Sequence, residues 1–223
     1  MSKIRAVLFD LDGTLSNTLD DLAASVNHAL AAHGYPVHEV SAYRYFVGNG
    51  AYMMIRRALP EDARDDANVK RLQATFLEHY AVHSQDKTGP YDGVIDLVKR
   101  LRQEGYATAV VTNKPDSAAQ EIVASMFPGL FDVVVGQRDG VPTKPDPAMP
   151  HLVMKELGVT PDECVFIGDS NVDILTGANS GAHAVGVLWG FRDREELLEA
   201  GAQDLIAKPN ELMAILDRLN GEA

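Results

Sequence analysis

Short apolar runs separated by helical patterns constrain this chain more than any other feature. Ala6 to Phe9, Ala107 to Val111, Phe131 to Val135 and Val165 to Ile167 are Val-rich and apolar at nearly every consecutive position, with a weaker fifth run at Ala184 to Leu188. Continuous rather than alternating apolarity suits strands buried on both faces of a parallel sheet. Amphipathic helices fall between the later runs. Val94, Leu97, Val98 and Leu101 share one helical face before the stop at Gly105, and Leu152, Val153, Met154 and Leu157 precede Gly158 in the same way. This alternation predicts a doubly wound, mainly parallel α/β core of Rossmann-like layout.

The pattern breaks between the first run and the second. From about Thr18 to Gln85 only helical periodicity is present: Leu19, Leu22, Val26, Ala29 and Leu30 form one stripe ending at Gly34, and Val69, Leu72, Phe76 and Tyr80 form another. An inserted all-helical cap over 17–88 is expected, carried by a core of 1–16 plus 89–223. Its hinges are expected near Ser16 and near Thr88-Gly89-Pro90, where such a cap opens and closes over a site. A chain of 223 residues is long enough for a core and one insert, and no internal repeat is visible.

Charge narrows the partners. With 20 Lys plus Arg against 32 Asp plus Glu, the formal net charge of -12 repels polyanions, so neither nucleic acid nor an anionic membrane is expected as a partner. The head of the chain, Met1-Ser2-Lys3-Ile4-Arg5, leads into a stretch too short for a signal peptide, and no segment is long and apolar enough to span a bilayer. One cysteine, Cys164, allows no internal disulfide and reads as a buried residue. A cytoplasmic monomer or homodimer is the simplest expectation.

Chemistry collects at the ends of the predicted strands, where open α/β sheets bind ligands. The first strand ends in Asp10-Leu11-Asp12-Gly13-Thr14, two acids two positions apart with a glycine permitting a tight turn. Thr112-Asn113-Lys114 follows the second, offering a hydroxyl, an amide and backbone N–H groups to an anion. Gly168-Asp169-Ser170-Asn171-Val172-Asp173 follows the fourth with two more carboxylates, hard oxygen ligands of the kind Mg²⁺ takes. Lys144, in the loop Thr143-Lys144-Pro145-Asp146-Pro147, supplies a fixed cation where acids cluster.

Taken together and in this order, Asp10-x-Asp12-Gly-Thr, Thr112, Lys144 and Gly168-Asp169-x-x-x-Asp173 resemble the four motifs of the haloacid dehalogenase superfamily, over nearly the whole chain. The resemblance implies a Mg²⁺-dependent phosphoryl transfer through a phospho-aspartate. Asp10 would be the nucleophile and Asp12 the acid and then the base. Thr112 would hold the phosphoryl group, with Lys144 beside Asp10. The metal would lie on the Asp10 carboxylate, the Asp12 carbonyl and Asp169, with Asp173 in support. Dehalogenating members typically lack the second acid, so Asp12 points to phosphate chemistry. β-Phosphoglucomutases usually carry a cap histidine twelve residues after the nucleophile, where this chain has Leu22.

Leu22, Phe46-Val47-Gly48-Asn49-Gly50 and Thr112-Asn113-Lys114 look most like phosphoglycolate phosphatases, implying a small phosphorylated metabolite as substrate. On that resemblance Gly48, Asn49, Gly50 and Asn113 are expected at the substrate, and Arg56 or Arg57 is a candidate for a substrate carboxylate. Ser16-Asn17-Thr18 departs from the acid often found at Asn17 and keeps pyrophosphate open as a substrate. A non-catalytic phosphate-binding protein is the rival from another class, disfavoured because both Asp10 and Asp12 are kept. His79 and His83 stand four apart on a helix with no third ligand in sight and read as solvated. Trp189-Gly190-Phe191 is expected to pack beside the site without a catalytic role.

Overall fold

The computed structural model describes residues 3–221; Met1 and Ser2, part of the N-terminal reading above, lie outside the described residues. In chain order the elements are β1 (Ala6–Phe9), β2 (Ser16–Asn17), α1 (Leu19–Ala32), α2 (Tyr43–Phe46), α3 (Gly50–Ala58), α4 (Asp66–His83) and β3 (Gly89–Pro90). They continue with α5 (Val94–Gln103), β4 (Ala107–Pro115), α6 (Asp116–Met126), β5 (Val133–Gln137), α7 (Ala148–Leu157) and β6 (Cys164–Gly168). The last are α8 (Asn171–Ser180), β7 (His183–Val187), α9 (Arg194–Glu199), β8 (Asp204–Ile206) and α10 (Leu212–Leu219). No helix among the described residues is long and apolar enough to cross a membrane.

Six strands form one parallel sheet in the order β5-β4-β1-β6-β7-β8. The short continuous runs have the expected cause. In β1, Val7 and Phe9 pack on one face with α5, α6 and α10, while Ala6 and Leu8 pack on the other with Met149, Val153 and Met154 of α7. Side chains alternate across a strand, so a strand covered on both faces must be apolar throughout. Because β1 sits between β4 and β6, the chain's direction of winding reverses beside it. The carboxyl ends of these three strands therefore open onto one crevice.

Three details differ from the sequence reading. β4 continues past Val111 to Pro115, because Thr112, Asn113 and Lys114 are buried and polar, which an apolar pattern cannot register. β5 starts two residues later than expected, at Val133. β8 is a sixth strand; three residues at the sheet edge, two of them only partly buried, leave too little pattern to read.

The helices between β2 and β3 bury a second cluster, joined from the core by Phe191. Leu22, Val26 and Leu30 of α1 meet Val69, Leu72 and Phe76 of α4, with Tyr43 and Ile55 closing the group. The two crossings between this cap and the sheet run antiparallel as β2 and β3, and buried Asp21 pins them. Its carboxylate accepts from the backbone N–H groups of Lys87 and Thr88 and, at 2.7 Å, from the Thr88 hydroxyl. Asp21 also lies in the first turn of α1, where a negative charge faces the positive end of the helix dipole.

Candidate active site

β1 delivers Asp10 to the crevice, and its N–H still bonds to the Ile167 carbonyl of β6 at 2.9 Å. The chain then turns sharply. Thr14, Leu15 and Ser16 donate backbone N–H groups to the Leu11 carbonyl, and Gly13 adopts a φ of +90°. A side chain at 13 would be strained by that φ and would also overlap Asp169, whose Oδ2 lies 2.3 Å from where a Cβ would stand. Gly190 leaves similar room, since a Cβ there would fall 2.2 Å from the Asp169 Cβ. Trp189 supports the turn from outside, donating its indole N–H to the Thr14 carbonyl at 3.0 Å.

Asp169 and Asp173 come from the β6–α8 junction. Asp169 accepts from the Thr14 hydroxyl at 3.2 Å and the Phe191 N–H at 2.7 Å. Ser170 caps α8, and Asp173 reaches back to the Ser170 N–H and hydroxyl as the third helical residue of a capping box. Its other oxygen accepts from Lys144 at 2.7 Å, and Lys144 also donates to Asp10 at 2.7 Å. Ligand oxygens of Asp10, Asp169 and Asp173 all lie within 4.8 Å of one another.

Three buried carboxylates around one ammonium set the electrostatics. Burial and the neighbouring Asp173 push the Asp10 carboxyl up to about 7, although Lys144 pulls it back. Asp169 is raised well above the ordinary carboxylate range by burial and by the charges of Asp173 and Asp10. Burial works against the Lys144 ammonium, but Asp10 and Asp173 outweigh it and hold its pKa above the usual lysine range. Excess buried negative charge lined with hard oxygen donors is the setting a small divalent cation neutralises. The donor set therefore fits Mg²⁺; Asp12, expected to contribute only its main-chain carbonyl, turns its carboxylate to Lys114 and is not among the three clustered acids.

A cavity of about 380 Å³ opens beside Asp10 and Asp12. Thr112 lies on its wall, and its hydroxyl oxygen accepts from the Lys114 N–H at 3.2 Å, so the hydroxyl hydrogen remains to be donated. Leu22, Met54, Phe76 and Leu77 make much of the cap side apolar. Gly48 and Gly50 also line it. Asn49 does not take the expected place: it is outside the lining, and its side-chain oxygen accepts from Arg57 at 2.6 Å. Arg57 also donates to the Phe46 carbonyl, so it braces the cap loop, and Arg56 is exposed. Asn113 reaches the cavity but acts as a clasp. It donates to the Gly48 and Lys144 carbonyls and accepts from the Lys144 N–H.

Several participants were missed by sequence reasoning. Lys114 is buried, faces Asp12 at 3.0 Å and donates to the Tyr80 hydroxyl of α4 at 2.7 Å. Tyr80 had read as part of an apolar stripe. Arg192 donates to the Val47 carbonyl of the cap, and Arg44 of the cap donates back to the Gly190 carbonyl. Ser170 carried a legible sign, since Ser-x-x-Asp is a capping pattern. The arginines carried none, because their partners are backbone carbonyls that any residue would supply.

Residues 7–187 match the sequence model of the family described as haloacid dehalogenase-like hydrolase. The chain is 38% identical over 192 residues to a phosphoglycolate phosphatase of Pseudomonas putida, covering 84% of this chain and 70% of that protein. It is 34% identical over 218 residues to an N-acetylmuramic acid 6-phosphate phosphatase of Pseudomonas aeruginosa, covering 97% of this chain and 96% of that one. A crystal structure from Lactobacillus delbrueckii subsp. bulgaricus, described as a proposed phosphoglycolate phosphatase, superposes with a TM-score of 0.92 at 36% identity, covering 99% of this chain and all of the other.

Proposed function

The chain belongs to the haloacid dehalogenase-like hydrolases, and from that membership we propose that it hydrolyses a small phosphomonoester through a phosphorylated Asp10, most simply that of 2-phosphoglycolate. One observation carries the reading: Asp10, at the end of the central strand, is held by Lys144 at 2.7 Å beside Asp169 and Asp173, with Asp12 next to the same cavity.

The residues divide the work as follows. Lys144 aims the Asp10 carboxyl and favours its ionised form against burial and Asp173, and it offsets repulsion as an anionic phosphate arrives. Thr112 donates its hydroxyl to a phosphoryl oxygen. Asp10 forms a bond to phosphorus while the bond to the ester oxygen breaks, and Asp12 gives that oxygen a proton. Asp12, now a carboxylate, takes a proton from water as the water attacks phosphorus. The bond to Asp10 then breaks and inorganic phosphate leaves. Asp10, the Asp12 carbonyl and Asp169 would hold Mg²⁺, with Asp173 steering Lys144; the ion supplies charge neutralisation for the transferring group. Residues 17–88 serve as the cap, hinged at the β2–β3 ribbon, and exclude water when closed.

Leu22 on the cavity wall places an apolar group where a proton-carrying histidine would serve a mutase, which supports hydrolysis over intramolecular transfer. A second reading has support as well. The cavity falls within the range of about 300–1,000 Å³ that encloses drug-sized ligands, which favours a bulkier ester such as an N-acetylmuramic acid 6-phosphate.

The test is phosphate release with Mg²⁺ from 2-phosphoglycolate, N-acetylmuramic acid 6-phosphate, pyrophosphate, sugar phosphates and nucleotides, paired with Asp10→Asn. Turnover of one ester that disappears in the variant supports the reading and names the substrate. Background rates throughout would put a non-catalytic binding protein ahead.

A further inference from the structure

Resting on the phosphatase reading, we propose that Lys114 sets substrate choice: its ammonium receives a carboxylate borne on the carbon next to the ester oxygen, and Tyr80 of the cap positions it.

Charge singles out one residue. Of the described residues that line the cavity, Lys114 is the one cation, among the acids Asp10, Asp12 and Glu121. Lys144 is already committed to Asp10 and Asp173. A substrate with a second anionic group beyond its phosphate thus has one partner available in the wall. Without that partner, a second anion would lie among acids in a largely apolar pocket, at a large desolvation cost.

Position narrows the chemistry further. Asp12 protonates the leaving oxygen in the scheme above, so that oxygen lies within hydrogen-bond reach of the Asp12 carboxylate. Lys114 Nζ stands 3.0 and 3.2 Å from the two Asp12 oxygens. A group on the carbon attached to the ester oxygen therefore comes within range of that ammonium, whereas a group several bonds further out does not have to. The class selected is the phosphate ester of a 2-hydroxy acid.

The third donor of the ammonium fixes its place. Lys114 donates to the Tyr80 hydroxyl at 2.7 Å and lies 4.7 Å from the Tyr80 ring centre. Tyr80 is itself stacked on Phe76 within the cap cluster. The two Asp12 contacts, at 3.0 and 3.2 Å, are longer than the 2.7–2.9 Å of a tight ammonium–carboxylate pair, and Tyr80 holds the ammonium from the cap side at 2.7 Å. When substrate enters, Lys114 can exchange one Asp12 oxygen for a substrate oxygen while Tyr80 keeps hold of it. The cap thereby contributes to selecting an ester through one hydroxyl on a core lysine.

The experiment compares kcat/KM for 2-phosphoglycolate with that for 2-hydroxyethyl phosphate, which replaces the carboxylate by an uncharged hydroxymethyl group. The native protein, Lys114→Met and Tyr80→Phe are each measured with Mg²⁺. The native protein is expected to favour 2-phosphoglycolate by about 10- to 100-fold, the worth of a hydrogen bond to a charged group. Lys114→Met erases that ratio whatever it does to either rate alone, and Tyr80→Phe reduces it in part. A native protein that turns over both esters alike overturns the proposal and leaves the phosphatase reading standing, and needs no folded variant. So does a Lys114→Met protein that keeps the native ratio. A native protein inactive on both esters and on the wider panel removes the phosphatase reading, and this proposal with it.

Discussion

The core and the cap hold the site in different ways. In the core, each acid is fixed by side chains or N–H groups with a dedicated partner: Lys144 for Asp10 and Asp173, Ser170 for Asp173, Thr14 and Phe191 for Asp169. The cap meets the core mainly through backbone carbonyls, with Val47 and Gly48 accepting from Arg192 and Asn113, and Gly190 accepting from Arg44. The core arrangement depends on residue identity, because charge and proton transfer need particular groups. The cap arrangement depends on where the chain runs. A change at a core position should therefore abolish chemistry, and a change at the cap junction should shift affinity.

The largest effect expected is at the core's ammonium. Lys144→Met leaves Asp10 and Asp173 buried without their counter-charge, at a cost of about 3–5 kcal/mol of stability, and activity falls to background. Urea unfolding and phosphate release check both parts. A stable, active Lys144→Met protein would break the comparison at its strongest point.

Gly13→Ala comes next. The added methyl group meets the Asp169 carboxylate under a φ of +90°, so the turn or the acid must move. A cost of about 1–3 kcal/mol is expected, together with weaker Mg²⁺ binding by calorimetry.

Metal and pH offer a third test of the core. Asp10, raised from 3.8 to about 7, and Asp169, raised in the same direction, hold protons in the fold that the unfolded chain has already lost. In the metal-free protein their contribution to stability is present below the ordinary carboxylate range and lost as pH rises toward 7. Adding Mg²⁺ should therefore raise the melting temperature more at neutral pH than at pH 5. An equal rise at both would show that these carboxylates do not meet the ion.

On the cap side, Arg192→Ala removes the hydrogen bond to Val47. KM should rise about 2- to 10-fold, the worth of one such bond, with kcat changed less. The smallest effect involves the stacked rings of His28, His79 and His83, with centres 4.2 and 4.3 Å apart. Burial and then its two neighbours hold His79 below its ordinary 6.5. Its neutral form is favoured in the fold, so the cap loses a little stability as pH falls below about 6.5. His79→Gln should flatten that slope in a melting series.

The same contrast governs what could be read from the sequence. The sheet was legible because β1, β4 and β6 are covered on both faces and so are apolar throughout. β8 was not, as a three-residue edge strand has no such constraint. Asp10, Asp12, Thr112, Lys144, Asp169 and Asp173 were legible as a set and lie together around the crevice. The partnership of Lys114 with Tyr80 was hidden, since the hydroxyl of a stripe residue is silent in an apolar pattern. Asn49 was misplaced for a related reason: a Gly-Asn-Gly loop announces a turn, and its direction was settled by Arg57, eight residues away in the chain.

In the proposed reaction Asp10 carries the phosphoryl group. The direct measurement is to quench the protein with acid during steady turnover of its preferred ester and to read the peptide spanning Asp10 by mass spectrometry. A peptide heavier by one phosphoryl group on Asp10 is expected, absent before substrate is added and absent in Asp10→Asn. Steady phosphate release with Asp10 unmodified, or continued turnover by Asp10→Asn, would contradict it.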